Sequence, residues 1–232
     1  MKNKSNQTKK TPIDSPVTLK ELHELSQERV GRISKELGDG FDFITKYDRS
    51  VTFFGSARFP EGHPYYEKAR SLAQKIVKEL NYSVLTGGGP GIMGAANQGA
   101  FEAGGSSLGM TIRLPHEQKT NLFLTDHINF YYFFTRKVCL SFSAEAFVFF
   151  PGGFGTLDEF FEIITLVQTK KVRDVPIILV GLEFWKGLED FLIRHLVDIG
   201  TIDNSDLNIY IISDDEDEIV DIIRKAPIRN EQ

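Results

Sequence analysis

Apolar residues along the chain follow two patterns, short continuous runs and helical spacing. Short apolar runs predict buried strands, and they occupy residues 51–54, 82–86, 107–114, 146–150, 176–180 and 209–212. An aromatic run at residues 130–134 predicts a further short strand or strand end. Apolar residues at helical spacing predict helices at residues 66–80, 92–103, 135–142, 184–199 and 215–224, with one more beginning at Thr156.

The strands alternate with helices, and each strand is apolar on both faces. This pattern indicates a parallel sheet that is covered on both sides. The predicted fold class is therefore α/β, a Rossmann-like, three-layer parallel sheet with helices on both faces and an N-terminal helical arm. The predicted domain limits are a tail and arm at residues 1–47, a nucleotide-binding catalytic domain at residues 48–226 and a short tail at residues 227–232.

The arm has two parts. Residues 1–16 are polar and predicted to be disordered, whereas residues 18–37 carry leucines at helical spacing. Gly38 and Gly40 predict the end of this helix, and apolar residues between them and Tyr47 predict an adhesive linker. We expect the arm to pack on the domain or on a second subunit, in preference to serving as a mobile leash.

The composition narrows the choice of partners and compartment. A net charge of −5 argues against a general nucleic-acid binder, and no apolar run approaches the length of a membrane span. The single cysteine, Cys139, cannot form an internal disulfide, and residues 1–11 lack the apolar segment of a signal peptide. We therefore expect a cytoplasmic protein with neither nucleic acid nor membrane as a partner.

The most informative stretch follows the run at residues 146–150. Pro151, Gly152, Gly153 and Gly155 interrupt the chain between that strand and the helix predicted from Thr156. Glycines allow the backbone to approach a ligand closely, and the free N–H groups of a first helical turn attract anions. The stretch predicts a phosphate site.

The same stretch has a plainer interpretation as a helix cap. Thr156 and Glu159 match the Thr-x-x-Glu capping box, in which the glutamate only bonds back to the backbone of the threonine. The number of glycines, the flanking phenylalanines and a second glycine loop favour a functional role.

That second loop is Gly87-Gly-Gly-Pro-Gly91, which follows a predicted strand and precedes a helix. A third candidate loop begins with Gly55 and Ser56. In parallel sheets, ligands bind in the crevice beyond the carboxyl ends of the strands, so we expect the three loops to converge there. The dinucleotide fingerprint G-x-G-x-x-G can be read through Gly89, Gly91 and Gly94, but no acidic residue ends the next strand to bind a ribose. A mononucleotide with one phosphate fits better.

Ionisable residues near these loops could supply chemistry. Arg136 and Lys137 begin a predicted helix, where the helix dipole disfavours cations, and Arg136 offers a planar fork suited to phosphate or ribose oxygens. A role in surface solubility remains the alternative for Lys137. The five histidines show no metal-ligand spacing, so neither a metal nor a cofactor is expected.

Together, Pro151-Gly-Gly-Phe-Gly-Thr-Leu-Asp-Glu159, Gly87-Gly-Gly-Pro-Gly-Ile-Met-Gly94 and the Arg136-Lys137 pair resemble the Lonely Guy family of nucleotide phosphoribohydrolases. Plant members of that family release cytokinins from their riboside 5′-monophosphates, and bacterial members are often mislabelled lysine decarboxylases. The resemblance implies a Rossmann-like fold, a homodimer or higher homo-oligomer whose active site takes residues from two subunits, and hydrolysis of an N-glycosidic bond.

The resemblance also implies roles for individual residues. Arg136 and Glu159 would form the catalytic pair. The predicted substrate-binding residues are Gly152, Gly153, Gly155 and Thr156 at the 5′-phosphate, Ser56, Gly88 and Met93 at the nucleoside, and also Gly89, Lys137 and Phe154.

Shorter members of the family read Met-His-Glu-Arg-Lys where this chain has Phe133-Phe-Thr-Arg-Lys137, and they lack the arm. The difference favours an AMP-like substrate over a cytokinin riboside monophosphate. The alternatives are a carrier of a nucleotide or of molybdenum cofactor that does not hydrolyse its ligand, and an oligomeric scaffold built on the arm.

Overall fold

The computed structural model describes residues 18–113 and 120–228. Within them, one sheet contains seven strands in the order β4-β3-β2-β1-β5-β6-β7, and every neighbouring pair is parallel. The predicted disordered tail at residues 1–16, the last residue of the strand predicted at 107–114, His116 and residues 229–232 of the predicted tail lie outside the described residues.

The helices and strands alternate as predicted, except between residues 112 and 126, where the described part of the connection contains no helix. The strands are β1 Ser50–Phe54, β2 Ser83–Thr86, β3 Ser107–Ile112, β4 Asp126–Phe130, β5 Ala146–Phe149, β6 Ile177–Leu179 and β7 Ile211–Ile212. The α-helices are α1 Leu19–Thr45, α2 Pro64–Leu80, α3 Ile92–Glu102, α4 Phe133–Ser141, α5 Phe154–Gln168, α6 Leu182–Leu192 and α7 Glu216–Arg224. A π-helical turn at Ile193–Val197 extends α6, and a 3-10 helix occupies Asn204–Ile209. None of the helices in the described ranges is long and apolar enough to cross a membrane.

Two apolar cores lie on opposite faces of the sheet. Side chains alternate between them along each strand: Val148 of β5 belongs to one core, whereas its neighbours Phe147 and Phe149 belong to the other. The first core is closed by α2, α3 and α7, and the second by α4, α5, α6 and the end of α1. This arrangement confirms the predicted three-layer α/β fold with an N-terminal helix.

The arm differs from its prediction. Gly38 and Gly40 do not end α1, which continues to Thr45, so the predicted linker is largely helical. Gly40 is buried, and Phe43 and Ile44 enter the second core. Tertiary packing against the sheet thus outweighs the low helix propensity of glycine. The arm packs on the domain through this half, whereas its first half, from Leu19 to Val30, is exposed.

Two further boundaries and one burial pattern differ from the predictions. The aromatic run is a strand end and not a separate strand, because β4 ends at Phe130 and the phenylalanines at 133 and 134 open α4. The last strand comprises only Ile211 and Ile212, since Ile209 ends the 3-10 helix. The edge strands β4 and β7 are partly exposed, so apolar burial on both faces holds for the inner strands only.

Close packing of α2 on α3 depends on Gly99. A Cβ at this position would overlap the backbone carbonyl of Arg70, whereas a Cβ at Gly187 in α6 would meet open space. We expect Gly99→Ala to lower the free energy of unfolding by ~1–3 kcal/mol because the helices must separate. Gly187→Ala is the matched control, and it should raise that free energy by ~0.5–1 kcal/mol through helix propensity. Urea denaturation of both variants measures the difference, and equal effects would contradict this account of the helix contact.

Candidate functional site

The order of strands creates a crevice at the carboxyl ends of β1 and β5. β1 pairs with β2 on one side and with β5 on the other, so the connections leave in opposite directions from this point. Such a switch point is where parallel α/β sheets bind ligands. The loops that follow β1, β2 and β5 are the three glycine-containing loops that the sequence predicts to converge.

The backbone of Ser56 joins these loops. Its N–H donates to the carbonyl of Pro151 at 3.0 Å, and its carbonyl accepts from the N–H of Ile92 at 3.0 Å. Gly91 has φ of 68°, and a Cβ there would overlap the Ser56 carbonyl. Only glycine allows this approach without strain, so the predicted convergence of the three loops is confirmed.

The loop after β2 is supported from beneath by buried polar side chains. The N–H of Gly88 donates to Oγ1 of Thr86 at 2.9 Å, and the Thr86 hydroxyl donates to Oδ1 of Asn97 at 2.6 Å. Asn121 donates to Asn97 Oδ1 at 2.9 Å and to the carbonyl of Gly89 at 3.1 Å. These bonds hold Gly88 and Gly89 in one conformation.

Sequence reasoning missed Asn97 and Asn121. Asn97 lies within a helix of small residues, and Asn121 belongs to the irregular connection between β3 and β4. The only signal in the sequence was the amide side chain of Asn97 among small apolar residues. The spacing of apolar residues does not show whether such an amide is buried or exposed.

Arg136 lies beside the loop after β2. A Cβ at Gly87 would be 2.9 Å from Sδ of Met93 and 3.6 Å from Nη2 of Arg136. The structure therefore brings Met93 and the guanidinium of Arg136 to the same loop.

The loop after β5 ends at an open helix N-terminus. α5 begins at Phe154 with Gly153 as its N-cap, two residues before the predicted start, and no side chain caps it. The capping-box interpretation is therefore wrong: the N–H of Thr156 donates to the carbonyl of Gly153 at 3.0 Å, so Thr156 is already inside the helix. The helix starts earlier than predicted because Gly153 occupies the N-cap position, and glycine has no side chain that could cap the helix.

This N-terminus is accessible to an anion. Gly153, Phe154 and Gly155 are exposed, and the side chain of Phe154 is 93% exposed. No space-filling side chain surrounds Gly153 or Gly155, whereas a Cβ at Gly152 would overlap the side chain of Thr156. Uncapped N–H groups and the helix dipole make this a suitable place for a phosphate.

Glu159 is buried one turn further along α5, with 6% of its surface exposed. Burial raises the pKa of its carboxyl from 4.5 to about 7, although the charges of Arg136 and Lys137 lower that pKa in part. Burial also lowers the pKa of Arg136, an effect that the charge of Glu159 opposes.

Both groups retain an unpaired polar atom. Within the described residues, Nε of Arg136 and Oε2 of Glu159 are buried and have no hydrogen-bond partner. Buried polar atoms are rarely left without a partner, and a perturbed carboxyl opposite a cation is typical of functional sites. The structure thus places the two predicted catalytic residues in one electrostatic environment.

Lys137 points to different partners. Its Nζ lies 2.8 Å from Oδ2 of Asp158 and 2.8 Å from Oε2 of Glu162. These ion pairs join α4 to α5, and they give Lys137 a structural role in addition to its predicted role in substrate binding.

The raised pKa of Glu159 predicts a pH-dependent stability. The carboxyl of Glu159 holds its proton more tightly in the folded state than in the unfolded state. Its protonation therefore stabilises the fold fully below about pH 4.5, and this stabilisation is lost as the pH rises through about 7. Glu159→Gln stays neutral. Relative to wild type, its free energy of unfolding should therefore rise from pH 4.5 to 8, by up to about 3 kcal/mol. Denaturation of both proteins across this range measures the difference, and a constant difference would contradict the assigned shift.

Three comparisons relate this chain to known proteins. The family model described as "Possible lysine decarboxylase" matches residues 93–223. A cytokinin riboside 5′-monophosphate phosphoribohydrolase of Arabidopsis thaliana is 29% identical over 177 residues, which is 76% of this chain and 77% of the plant protein.

Two solved structures share the fold. The X-ray structure of TM1055 has a TM-score of 0.57 and 26% identity, covering 76% of this chain and 99% of its own. The molybdenum cofactor binding protein of Rippkaea orientalis has a TM-score of 0.56 and 22% identity, covering 75% and 93% of the two chains. At that identity, the second likeness concerns the fold alone.

Proposed function

The chain belongs to the Lonely Guy family, and from that membership and the site geometry we propose that it hydrolyses the N-glycosidic bond of a nucleoside 5′-monophosphate. The products are the free base and ribose 5-phosphate. The relatives support a hydrolase by their name, cytokinin riboside 5′-monophosphate phosphoribohydrolase.

The observation that carries this proposal is the pair formed by the half-buried Arg136 and the buried Glu159. A carboxyl with a pKa of about 7 and an unpaired oxygen lies in the field of a guanidinium that also has an unpaired nitrogen. Burying two such groups without saturating their hydrogen bonds costs free energy, and a substrate can supply the missing partners. A protein that only held a phosphate would need the loop but not this pair.

In the proposed mechanism, α5 binds the phosphate and supplies Glu159, whereas α4 supplies Arg136. The 5′-phosphate binds at the N-terminus of α5, where Gly152, Gly153 and Gly155 provide backbone N–H groups and space and Thr156 provides its hydroxyl. The anomeric carbon then lies near Glu159, whose carboxylate stabilises the positive charge that develops on the ribosyl group and orients the attacking water. Arg136 holds the nucleotide, together with the loop that contains Gly88, Gly89 and Met93.

A carrier that does not hydrolyse its ligand is the second candidate. The likeness to a molybdenum cofactor binding protein supports it at the level of the fold. The unpaired atoms of Arg136 and Glu159 favour the hydrolase, because a carrier requires binding contacts only. Lysine decarboxylation, which the family description names, does not fit Lys137, since two carboxylates hold the ammonium group that a Schiff base would need.

Exposed aromatic residues near the site support a proposal for the substrate and for the assembly. Phe133 and Phe134 at the start of α4 are 58% and 50% exposed, and Phe154 is exposed beside the phosphate loop. Exposed aromatic residues at the rim of a site favour contact with a planar base or a second subunit. We propose an AMP-like substrate and a homodimer or larger homo-oligomer in the cytoplasm, with the catalytic domain at residues 48–226.

Loss of the Glu159 carboxylate tests the catalytic role. Glu159→Gln and Glu159→Ala should lower kcat by about 10²–10⁴-fold, because no other group replaces the lost carboxylate. The assay incubates a panel of nucleoside monophosphates and measures free base and ribose 5-phosphate by chromatography. Glu183→Gln, at an exposed glutamate in the first turn of α6, is the control and should retain wild-type turnover.

Two outcomes of that assay would contradict the proposal. Full AMP hydrolysis by Glu159→Ala would remove Glu159 from the mechanism. Binding of nucleotides without hydrolysis of any of them by the wild-type chain would favour the carrier.

The phosphate loop can be tested separately from the chemistry. A Cβ on Gly153 enters open space, so Gly153→Ala should leave the melting temperature unchanged. If the phosphate occupies that space, the added methyl group should weaken AMP binding by roughly tenfold, equivalent to about 1.4 kcal/mol. Calorimetry in the Glu159→Gln background measures the affinity without turnover. Unchanged affinity would place the phosphate elsewhere.

A further inference from the structure

A carboxylate from the arm binds the N-terminal end of the helix that carries Arg136, and we call this set of contacts the Glu36 cap. Oε1 of Glu36 accepts from the N–H of Tyr131 at 2.7 Å, and its Oε2 accepts from the N–H of Tyr132 at 3.3 Å and from the Thr135 hydroxyl at 2.7 Å. Glu36 lies about a hundred residues away along the chain, so this is not a local capping box. Two of the bonds hold the residues that lead into α4, and the third holds Thr135 in its first turn.

The N-terminal end of α4 has little hydrogen-bonded support from its own residues. Its N-cap, Tyr132, makes no side-chain cap hydrogen bond, and the bond from Arg136 N–H to the Tyr132 carbonyl is long at 3.4 Å. Arg136 and Lys137 place two positive charges near the positive end of the helix dipole, which disfavours this turn. A carboxylate at the same end offsets both effects.

The arm is fixed where Glu36 lies. Gly40, one turn later in α1, contacts Cys139 of α4 and Phe130 of β4 so closely that a Cβ would overlap the Cys139 sulfur. Phe43 and Ile44 are buried in the second core. The second half of α1 therefore packs on α4 and holds Glu36 against it, whereas the first half of α1 is exposed.

We infer that Glu36 is a positioning residue: it fixes the first turn of α4 and thereby sets the Arg136 guanidinium opposite Glu159. This inference rests on the proposed function, because Arg136 must act on a nucleotide for its position to matter. Thr135, which is fully buried, completes the contact between the arm and the helix.

Hydrogen–deuterium exchange tests the Glu36 cap without reference to activity. In the full chain, Glu36→Ala should speed exchange of the amides at residues 131–137, and Glu36→Gln, which keeps one acceptor oxygen, should do so less. Asp39→Ala is the matched control, since Asp39 pairs with Lys35 on the exposed side of the same helix. Exchange at wild-type rates in Glu36→Ala would overturn the inference.

Kinetics with AMP test the positioning of Arg136. Glu36→Ala should lower kcat/KM by roughly 10- to 100-fold, because small displacements of a binding group have effects of that size, while Asp39→Ala should not. In an Arg136→Lys background the same substitution should have a much smaller effect, since the fork to be positioned is already absent. Equal losses in both backgrounds would show a general structural effect and overturn the inference.

The two proposals fail in different ways. A wild-type chain that cleaves no nucleoside monophosphate overturns the proposed function and with it the role of Glu36 in catalysis. If exchange at residues 131–137 were still slower in wild type than in Glu36→Ala, Glu36 would stabilise α4 without a role in catalysis.

Discussion

The opposition of the half-buried Arg136 and the buried Glu159 is the interaction on which the candidate site depends. Burial leaves one polar atom on each side chain without a hydrogen-bond partner, raises the pKa of the carboxyl and lowers the pKa of the guanidinium. Such a pair is costly to stability on its own. The surrounding structure tolerates this cost because both residues sit on helices that are anchored in the second core.

The loops around this pair are positioned by the sheet rather than by their own sequences. The switch of strand order at β1 opens the crevice, and the backbone bonds of Ser56 attach the loops that follow β2 and β5 to it. Glycines at 88 and 91 adopt the positive φ that these approaches require. The same topology thus brings the uncapped N-terminus of α5 and the charge pair to the carboxyl edge of the sheet.

The arm contributes more than a surface for association. Its second half completes the core beside α4 and delivers Glu36 to the turn that holds Arg136. The continuity of α1 through two glycines is part of this arrangement, because Gly40 allows the contact with Cys139. The arm, which the sequence predicts to pack on the domain or on a second subunit, is therefore connected to the site.

The sequence by itself determined the alternation of strands and helices, the parallel sheet and the position of the glycine loops, because periodicity and glycine spacing are local properties of the chain. It also identified Arg136 and Glu159 as a pair, through motif resemblance. Only the tertiary structure decided where α1 ends and that α5 starts at Phe154. It also decided the ion pairs of Lys137 and the hydrogen bonds of Asn97, Asn121 and Glu36. Each of these depends on groups far apart in the chain, whose burial and hydrogen bonding outweigh local propensity and leave no periodic signal.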